Sequence, residues 1–231
     1  MLILFDIDAT MITTGGVGIR AMVNAGRRLF GPDFSADGID FAGRLDPLIL
    51  GEMLERSGVS RTPANLASIR REYAIQLKDE LEQAPAKKVL PGVMSLLARV
   101  GREPAATRGV LTGNFCETGS MKLLACGIDP SQFRVQVWGD ESPHDPPDRS
   151  HLPPIGIAKY QKITGKPVQP SQVTIIGDTP HDVACARAHG CRSLGVATGK
   201  FGIGELAAAG ADRVVPDLSD TGAIADWLLT M

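Results

Sequence analysis

The chain has 231 residues, 43% of them hydrophobic and 22% charged, the balance of a protein that buries an ordinary globular core. A formal net charge of −2 supplies no basic face for nucleic acid and no polybasic anchor for a membrane surface. No apolar run reaches the length of a bilayer span, and "MLILF" at the start is too short for a signal-peptide core and lacks its basic leader, so a cytoplasmic location is expected.

The first predicted strand, Leu2–Phe5, runs straight into two acids, Asp6 and Asp8. Carboxylates this close repel one another and lose hydration when buried, unless a cation or a reaction uses them. Between Thr13 and about Pro91 no central strand is predicted. Instead "GIRAMVNAGRRLFG", "DPLILGEMLERSG" and "NLASIRREYAIQLKDELEQA" read as helices, the last with Leu66, Ile69, Tyr73, Leu77 and Leu81 close to a helical period. This stretch is expected to be a helical insertion, with "APAKKVLPG" as its return linker. Further buried strands are predicted at Ala106–Leu111, Arg134–Trp138, Val173–Ile176 and Ser193–Ala197. The helical patterns "CETGSMKLLACG" and "HDVACARAHG" between them close on Gly127 and Gly190. "GDESPHDPPDRSHLPP" reads as an irregular loop at a site mouth. The alternation predicts an α/β fold, a doubly wound parallel-sheet Rossmann-like core over 1–13 and 91–231, interrupted by the small helical unit at 14–90. Cys116, Cys126, Cys185 and Cys191 lack CxxC spacing and read as reduced, largely buried thiols. His144, His151, His181 and His189 show no ligand spacing and are expected on loops or helix surfaces, while Met22, Met53, Met94 and Met121 are expected to fill core gaps.

Ligands of open α/β sheets bind beyond the carboxyl ends of the strands. Three predicted strands end in polar chemistry: the first in Asp6 and Asp8, the second in "LTGN" (Thr112–Asn114), the fourth in "IIGDTPHD" with Asp178 and Asp182. Asp6, Asp8, Asp178 and Asp182 offer the hard oxygen ligands that Mg2+ takes. The Thr112 hydroxyl and the backbone N–H groups of the Gly113–Asn114 turn suit phosphate oxygens. With a metal in place, Asp6 can attack phosphorus, and Asp8 can protonate the leaving oxygen and later activate water. Taken singly, each motif has a plain structural explanation: an aspartate after a strand caps a turn or helix, and "TGN" occurs in loops. Three such ends in this order point to phosphoryl chemistry.

"DIDAT", "LTGN" and "GDTPHD" resemble the first, second and fourth motifs of the haloacid dehalogenase-like hydrolase superfamily, and the resemblance covers nearly the whole chain. It implies a phosphatase-type member whose residues 14–90 form a cap inserted after the first motif, as in phosphoglycolate phosphatases and beta-phosphoglucomutases. It further implies Asp6 as nucleophile, Asp8 as acid/base and Thr112 as phosphate binder, with Mg2+ held by Asp6, Asp178 and the backbone carbonyl of Asp8, and with Asp182 in support. Two departures stand out. Ala9 replaces the usual glycine, and no lysine occupies the third motif, where Ser150 falls beside Arg149. Arg149 serves there either as the missing cation or as a solvated loop arginine, with Lys159 and Lys122 as further candidates. In "FAGRLDPLI", Arg44 resembles a specificity-loop residue that meets an anion on the leaving group, or else it pairs with Asp46 or Asp40.

The expected activity is Mg2+-dependent hydrolysis of a small phosphomonoester, with no nucleic-acid or membrane partner. A phosphomutase would use the same acids. A receiver-like phospho-acceptor, with Asp140 as acceptor, would leave "GDTPHD" and the helical insertion unexplained; a catalytically silent binding protein would suit the missing lysine, but every carboxylate the chemistry needs is present.

Overall fold

The computed structural model describes residues 1–230. Its strands are, in chain order, β1 (Leu2–Phe5), β2 (Ile12–Thr13), β3 (Lys88–Val89), β4 (Thr107–Leu111), β5 (Val135–Val137), β6 (Val173–Gly177), β7 (Arg192–Val196) and β8 (Arg213–Val215). The helices are α1 (Val17–Phe30), α2 (Asp46–Arg56), α3 (Pro63–Gln83), α4 (Val93–Gly101), α5 (Cys116–Ala125), α6 (Leu152–Thr164), α7 (Pro180–Arg187), α8 (Ile203–Ala208) and α9 (Thr221–Leu229). Among the described residues no helix is long and apolar enough to cross a membrane.

Six strands form one parallel sheet in the order β5-β4-β1-β6-β7-β8. A strand covered on both faces has no polar side, which is why β1 is apolar at every position and β6 is buried at every position. Ile3, Phe5 and Val110 pack on one face with α4 and α9, and Leu2, Leu4 and Leu111 on the other with α6 and α7. The chain builds outward from β1 to β4 and β5, then returns to the far side of β1 for β6, β7 and β8. That reversal opens a crevice beyond the carboxyl end of β1. Phe5 is level with Val110 and Ile176, so Asp6 is level with Leu111 and Gly177, and Thr112 and Asp178 follow one step on.

Helices α1, α2 and α3 bury their apolar faces mainly on one another. Val17, Ala21, Met22, Ile49, Met53, Ile69, Tyr73 and Leu77 make a cluster separate from those on the sheet faces, and Phe115, at the start of α5, joins it. This helical unit leaves and rejoins the sheet through a two-stranded antiparallel ribbon, with Ile12 opposite Val89 and Thr13 opposite Lys88.

Some local expectations need correcting. The return linker is partly strand, and β8 adds an edge strand that the apolar pattern does not mark, because two of its three residues are half-buried. Cys116 is exposed and Cys126 half-buried, while Cys185 and Cys191 are buried; all four are free thiols. Met94 lies 51% exposed on the outer side of α4 and fills no core gap.

Candidate active site

Asp6 is the first residue past β1, and its backbone N–H still donates to Ile176 O at 2.9 Å, so the strand itself fixes where the carboxylate points. Asp178 follows β6 and accepts from Thr10 Oγ1 at 3.3 Å. Asp182 lies in the first turn of α7, where Thr179 and Asp182 cap each other: the Thr179 N–H and hydroxyl both donate to Asp182 Oδ2, at 3.1 and 2.7 Å. Gly177 makes this closeness possible, because a Cβ there would sit 2.1 Å from Asp182 Cγ. Asp6, Asp178 and Asp182 are all buried and present carboxylate oxygens within 4.8 Å of one another.

Arg149 balances part of this charge. It sits in a 3-10 turn (Arg149–His151) inside the irregular loop, only 7% exposed. One guanidinium nitrogen, Nη2, donates to Asp6 Oδ1 at 2.9 Å and to Asp182 Oδ1 at 2.5 Å, and Nη1 donates to Gly43 O at 3.2 Å. Cys185 of α7 and His189 just past its end hold the turn, through Cys185 Sγ to Arg149 O at 3.2 Å and His189 Nε2 against Ser150 O at 2.6 Å. Burial would lower the pKa of the guanidinium, but Asp182 and Asp6 together raise it. Lys159 lies elsewhere, donating to Gln136 O at 2.6 Å and pairing with Glu141.

One arginine is not enough for three acids. Burial raises Asp6 to about 6 against the pull of Arg149, with Asp182 and Asp8 pushing the same way. Burial, with Asp6 and Asp182 close by, raises Asp178 to about 8. Such a site holds more negative charge than its own cation offsets, and its donors are hard oxygens, so it fits Mg2+.

Asp8 turns away from this trio. Its Oδ2 accepts from Lys122 Nζ at 2.8 Å and from Asn114 Nδ2 at 2.9 Å, and its side chain is 43% exposed. Asn114 ties the second motif together, donating to Thr112 Oγ1 at 2.8 Å and accepting from Lys122 at 2.6 Å. Gly113 O accepts from the Asp46 N–H at 2.8 Å, which fixes this loop against the start of α2. Asp46 itself is buried, takes the Phe115 N–H at 3.3 Å and the Thr118 hydroxyl at 3.5 Å, and is raised to about 7, chiefly by burial. Arg44 pairs with neither Asp46 nor the Asp40 carboxylate. It donates to Glu52 at 2.7 Å and to the backbone oxygen of Asp40 at 3.0 Å.

The structure therefore brings Asp6, Asp8, Thr112, Gly113, Asn114, Arg149 and Asp178 to one cavity of about 440 Å³, with Arg44 on its wall and Asp182 just behind. Three further residues on the wall, Asp46, Tyr73 and Lys122, carry weak sequence signals. Lys122 follows Thr118 by four residues on α5, which puts it on the buried helix face beside the second motif. Tyr73 is hidden among the apolar positions of α3, and Asp46 looks like an ordinary first-turn acid.

A haloacid dehalogenase-like hydrolase family model matches residues 3–187, and a second model described as HAD-hydrolase-like matches residues 156–221. A curated protein of Dickeya dadantii, "Probable phosphatase IndB", is 27% identical over 236 residues, covering 100% of this chain and 95% of that one. Among solved structures, a hydrolase from Pseudomonas syringae superposes with a TM-score of 0.71 at 23% identity, over 99% of both chains. CbbY from Rhodobacter sphaeroides, in complex with phosphate, gives a TM-score of 0.76 at 20% identity, over 96% of both chains. These two likenesses concern the fold, while the family model spans the strands that carry Asp6, Thr112 and Asp178. The chain belongs to the haloacid dehalogenase-like hydrolase family.

Proposed function

We propose that this chain is a Mg2+-dependent phosphatase that hydrolyses a small phosphomonoester through an aspartyl-phosphate on Asp6. The observation that carries it is the buried trio of Asp6, Asp178 and Asp182 at the carboxyl end of the sheet, with a second acid, Asp8, two residues after the first. Asp6, Asp178 and the Asp8 carbonyl would hold the cation, with Asp182 positioning Arg149 and the α7 terminus. Bound there, Mg2+ would offset the charge of the phosphoryl oxygens.

Asp6 attacks phosphorus, the P–O ester bond breaks, and the leaving oxygen takes a proton from Asp8. Water then gives its proton to Asp8 as its oxygen attacks the phosphorus of the aspartyl-phosphate, freeing inorganic phosphate and the Asp6 carboxylate. Thr112 and the Gly113 and Asn114 N–H groups receive the phosphoryl oxygens, and Arg149 holds Asp6 in line. Residues 14–90 act as a cap that excludes water over this centre, with Arg44 on its inner wall.

The test is phosphate release from a panel of sugar phosphates, acyl phosphates and phenyl phosphate, with Mg2+ and with chelator. Release is expected only with Mg2+, and Asp6→Asn is expected to abolish it. Asp8→Asn is expected to slow hydrolysis of the phosphoenzyme more than its formation from an aryl phosphate, whose leaving group needs no proton. Isomerisation without phosphate release would make the chain a mutase instead.

A further inference from the structure

The cavity has an inner wall with a polar gap. Tyr73 Oη is fully buried on α3 and lines the cavity; the Thr118 side chain lies close to it, but the hydroxyl completes no hydrogen bond of normal geometry. A buried hydroxyl left without a partner is costly, so such a group calls for an explanation. Lys122 lies beside it. The ammonium carries three donors and spends one on Asp8 and one on Asn114, which leaves a third among the described residues. Both groups face one point above Gly18 of α1, where a Cβ would lie 3.2 Å from Lys122 Nζ and 3.5 Å from Tyr73 Oη. The missing side chain keeps that point open.

Charge decides what the space takes. Among the described residues, the cations lining the cavity are Arg44, Lys122, Arg149 and Lys200, and each already has a carboxylate: Glu52 at 2.7 Å, Asp8 at 2.8 Å, Asp6 at 2.9 Å and Asp40 at 3.6 Å respectively. Asp46 lines the same wall. An anionic leaving part would find each of these cations already paired with a carboxylate and would meet Asp8 and Asp46. A neutral oxygen needs no charge, only a donor such as Lys122 and a group such as the Tyr73 hydroxyl that can donate or accept.

We propose that Tyr73, Lys122 and Gly18 form a subsite for a neutral oxygen, a hydroxyl or carbonyl, on the leaving part of the substrate. This rests on the phosphatase reading. Asp8 serves the leaving oxygen and is itself held by Lys122, so the recognised oxygen belongs on a carbon next to the ester carbon or one further on. The substrate class is then a small hydroxylated or keto phosphate ester, as opposed to a phosphorylated acid or a bisphosphate.

The test uses three esters differing in one position: ethyl phosphate, 2-hydroxyethyl phosphate and phosphoglycolate. The wild type is expected to prefer 2-hydroxyethyl phosphate to ethyl phosphate by about tenfold or more in kcat/KM, and to phosphoglycolate as well. Tyr73→Phe is expected to cut the hydroxyethyl-to-ethyl preference by about tenfold, while its Tm stays or rises because the lost hydroxyl completed no hydrogen bond of normal geometry. Gly18→Ala fills the point with a methyl in a helix that tolerates alanine, and is expected to erode the same preference. Equal wild-type rates on the hydroxyethyl and ethyl esters, or a preference intact in Tyr73→Phe, would overturn the subsite and leave the phosphatase standing. A wild-type preference for phosphoglycolate would overturn its neutral character. No phosphate from these esters or from phenyl phosphate would refute the phosphatase reading, and the subsite with it.

Discussion

Arg149 is the residue on which the electrostatics of the centre can be tested most directly. Its guanidinium is buried and touches two carboxylates that share the site with a third. Replacing it with Met keeps much of its length and removes the charge, leaving Asp6, Asp178 and Asp182 without a cation. Removing one partner of a buried ionic cluster costs about 3–5 kcal/mol. Urea unfolding of Arg149→Met at pH 8 in chelator is expected to show that loss. A carboxylate whose folded pKa is raised binds its proton more tightly folded than unfolded, so its destabilising effect is absent below the unfolded value, grows as pH rises from there and is complete above the folded value. With Asp6 at about 6 and Asp178 at about 8, the penalty is expected to shrink by more than half at pH 5. Arg149→Lys restores the charge at one point. A single ammonium cannot stand where both Nη2 and Nη1 stand, so it gives up either an acid or Gly43 O, for about 1–2 kcal/mol. Its turnover is expected to stay well above that of Arg149→Met. A Met variant that lost under about 1 kcal/mol at pH 8, with the pH slope of the wild type, would refute the idea that Arg149 holds buried acids together.

The wild type in chelator is expected to lose stability steadily as pH rises from about 4 to about 8, as Asp6 and then Asp178 ionise, and saturating Mg2+ is expected to flatten that slope; a flat curve in chelator would remove the charge excess from the account. Asp46→Asn keeps a side-chain acceptor for the Phe115 N–H and removes a carboxyl raised to about 7, so it is expected to match the wild type near pH 4 and to gain on it progressively up to about pH 7 in paired thermal melts. Ala9 has φ +56°, the one non-glycine residue with positive φ among those described, and Ala9→Gly is expected to stabilise by about 0.5–1 kcal/mol in urea unfolding; a loss of stability would mean that the methyl packs usefully.

Much of this was legible in the sequence because β1 and β6 are buried at every position, and β4 over its last three residues, so that each shows an apolar stretch ending where polar chemistry begins. The order of those endings placed Asp6, Thr112 and Asp178 together before any geometry was known. What escaped has physical reasons too. A two-residue ribbon is shorter than any periodicity, and a half-buried edge strand such as β8 lacks the apolar run of its inner neighbours. Arg149 stood in a polar loop, and its burial follows from the α7 contacts of its turn, which join residues 36 and 39 positions apart. Tyr73 was read only as a core position of α3, and Lys122 only as a further candidate for the third-motif cation: each sits where a helical pattern predicts a buried side chain, and the pattern says nothing of where a polar atom at its tip goes.

The ribbon of β2 and β3 has a consequence of its own. Because Ile12 pairs with Val89 and Leu90 N–H donates to Met11 O at 3.0 Å, the two ends of the intervening seventy-odd residues leave the sheet side by side. A tight turn from Thr13 to Lys88 would close the gap without shifting the register of any central strand. Such an arrangement makes the segment exchangeable in evolution. A lineage can trade, lengthen or shed it as a cassette, altering what enters the crevice while the strands bearing Asp6, Thr112 and Asp178 stay in place. Any replacement would still have to meet the core where this segment does: at the Asp46 seam with Gly113 and Phe115, at Gly43 O against Arg149, and where Arg70 pairs with Glu117 and Asp140.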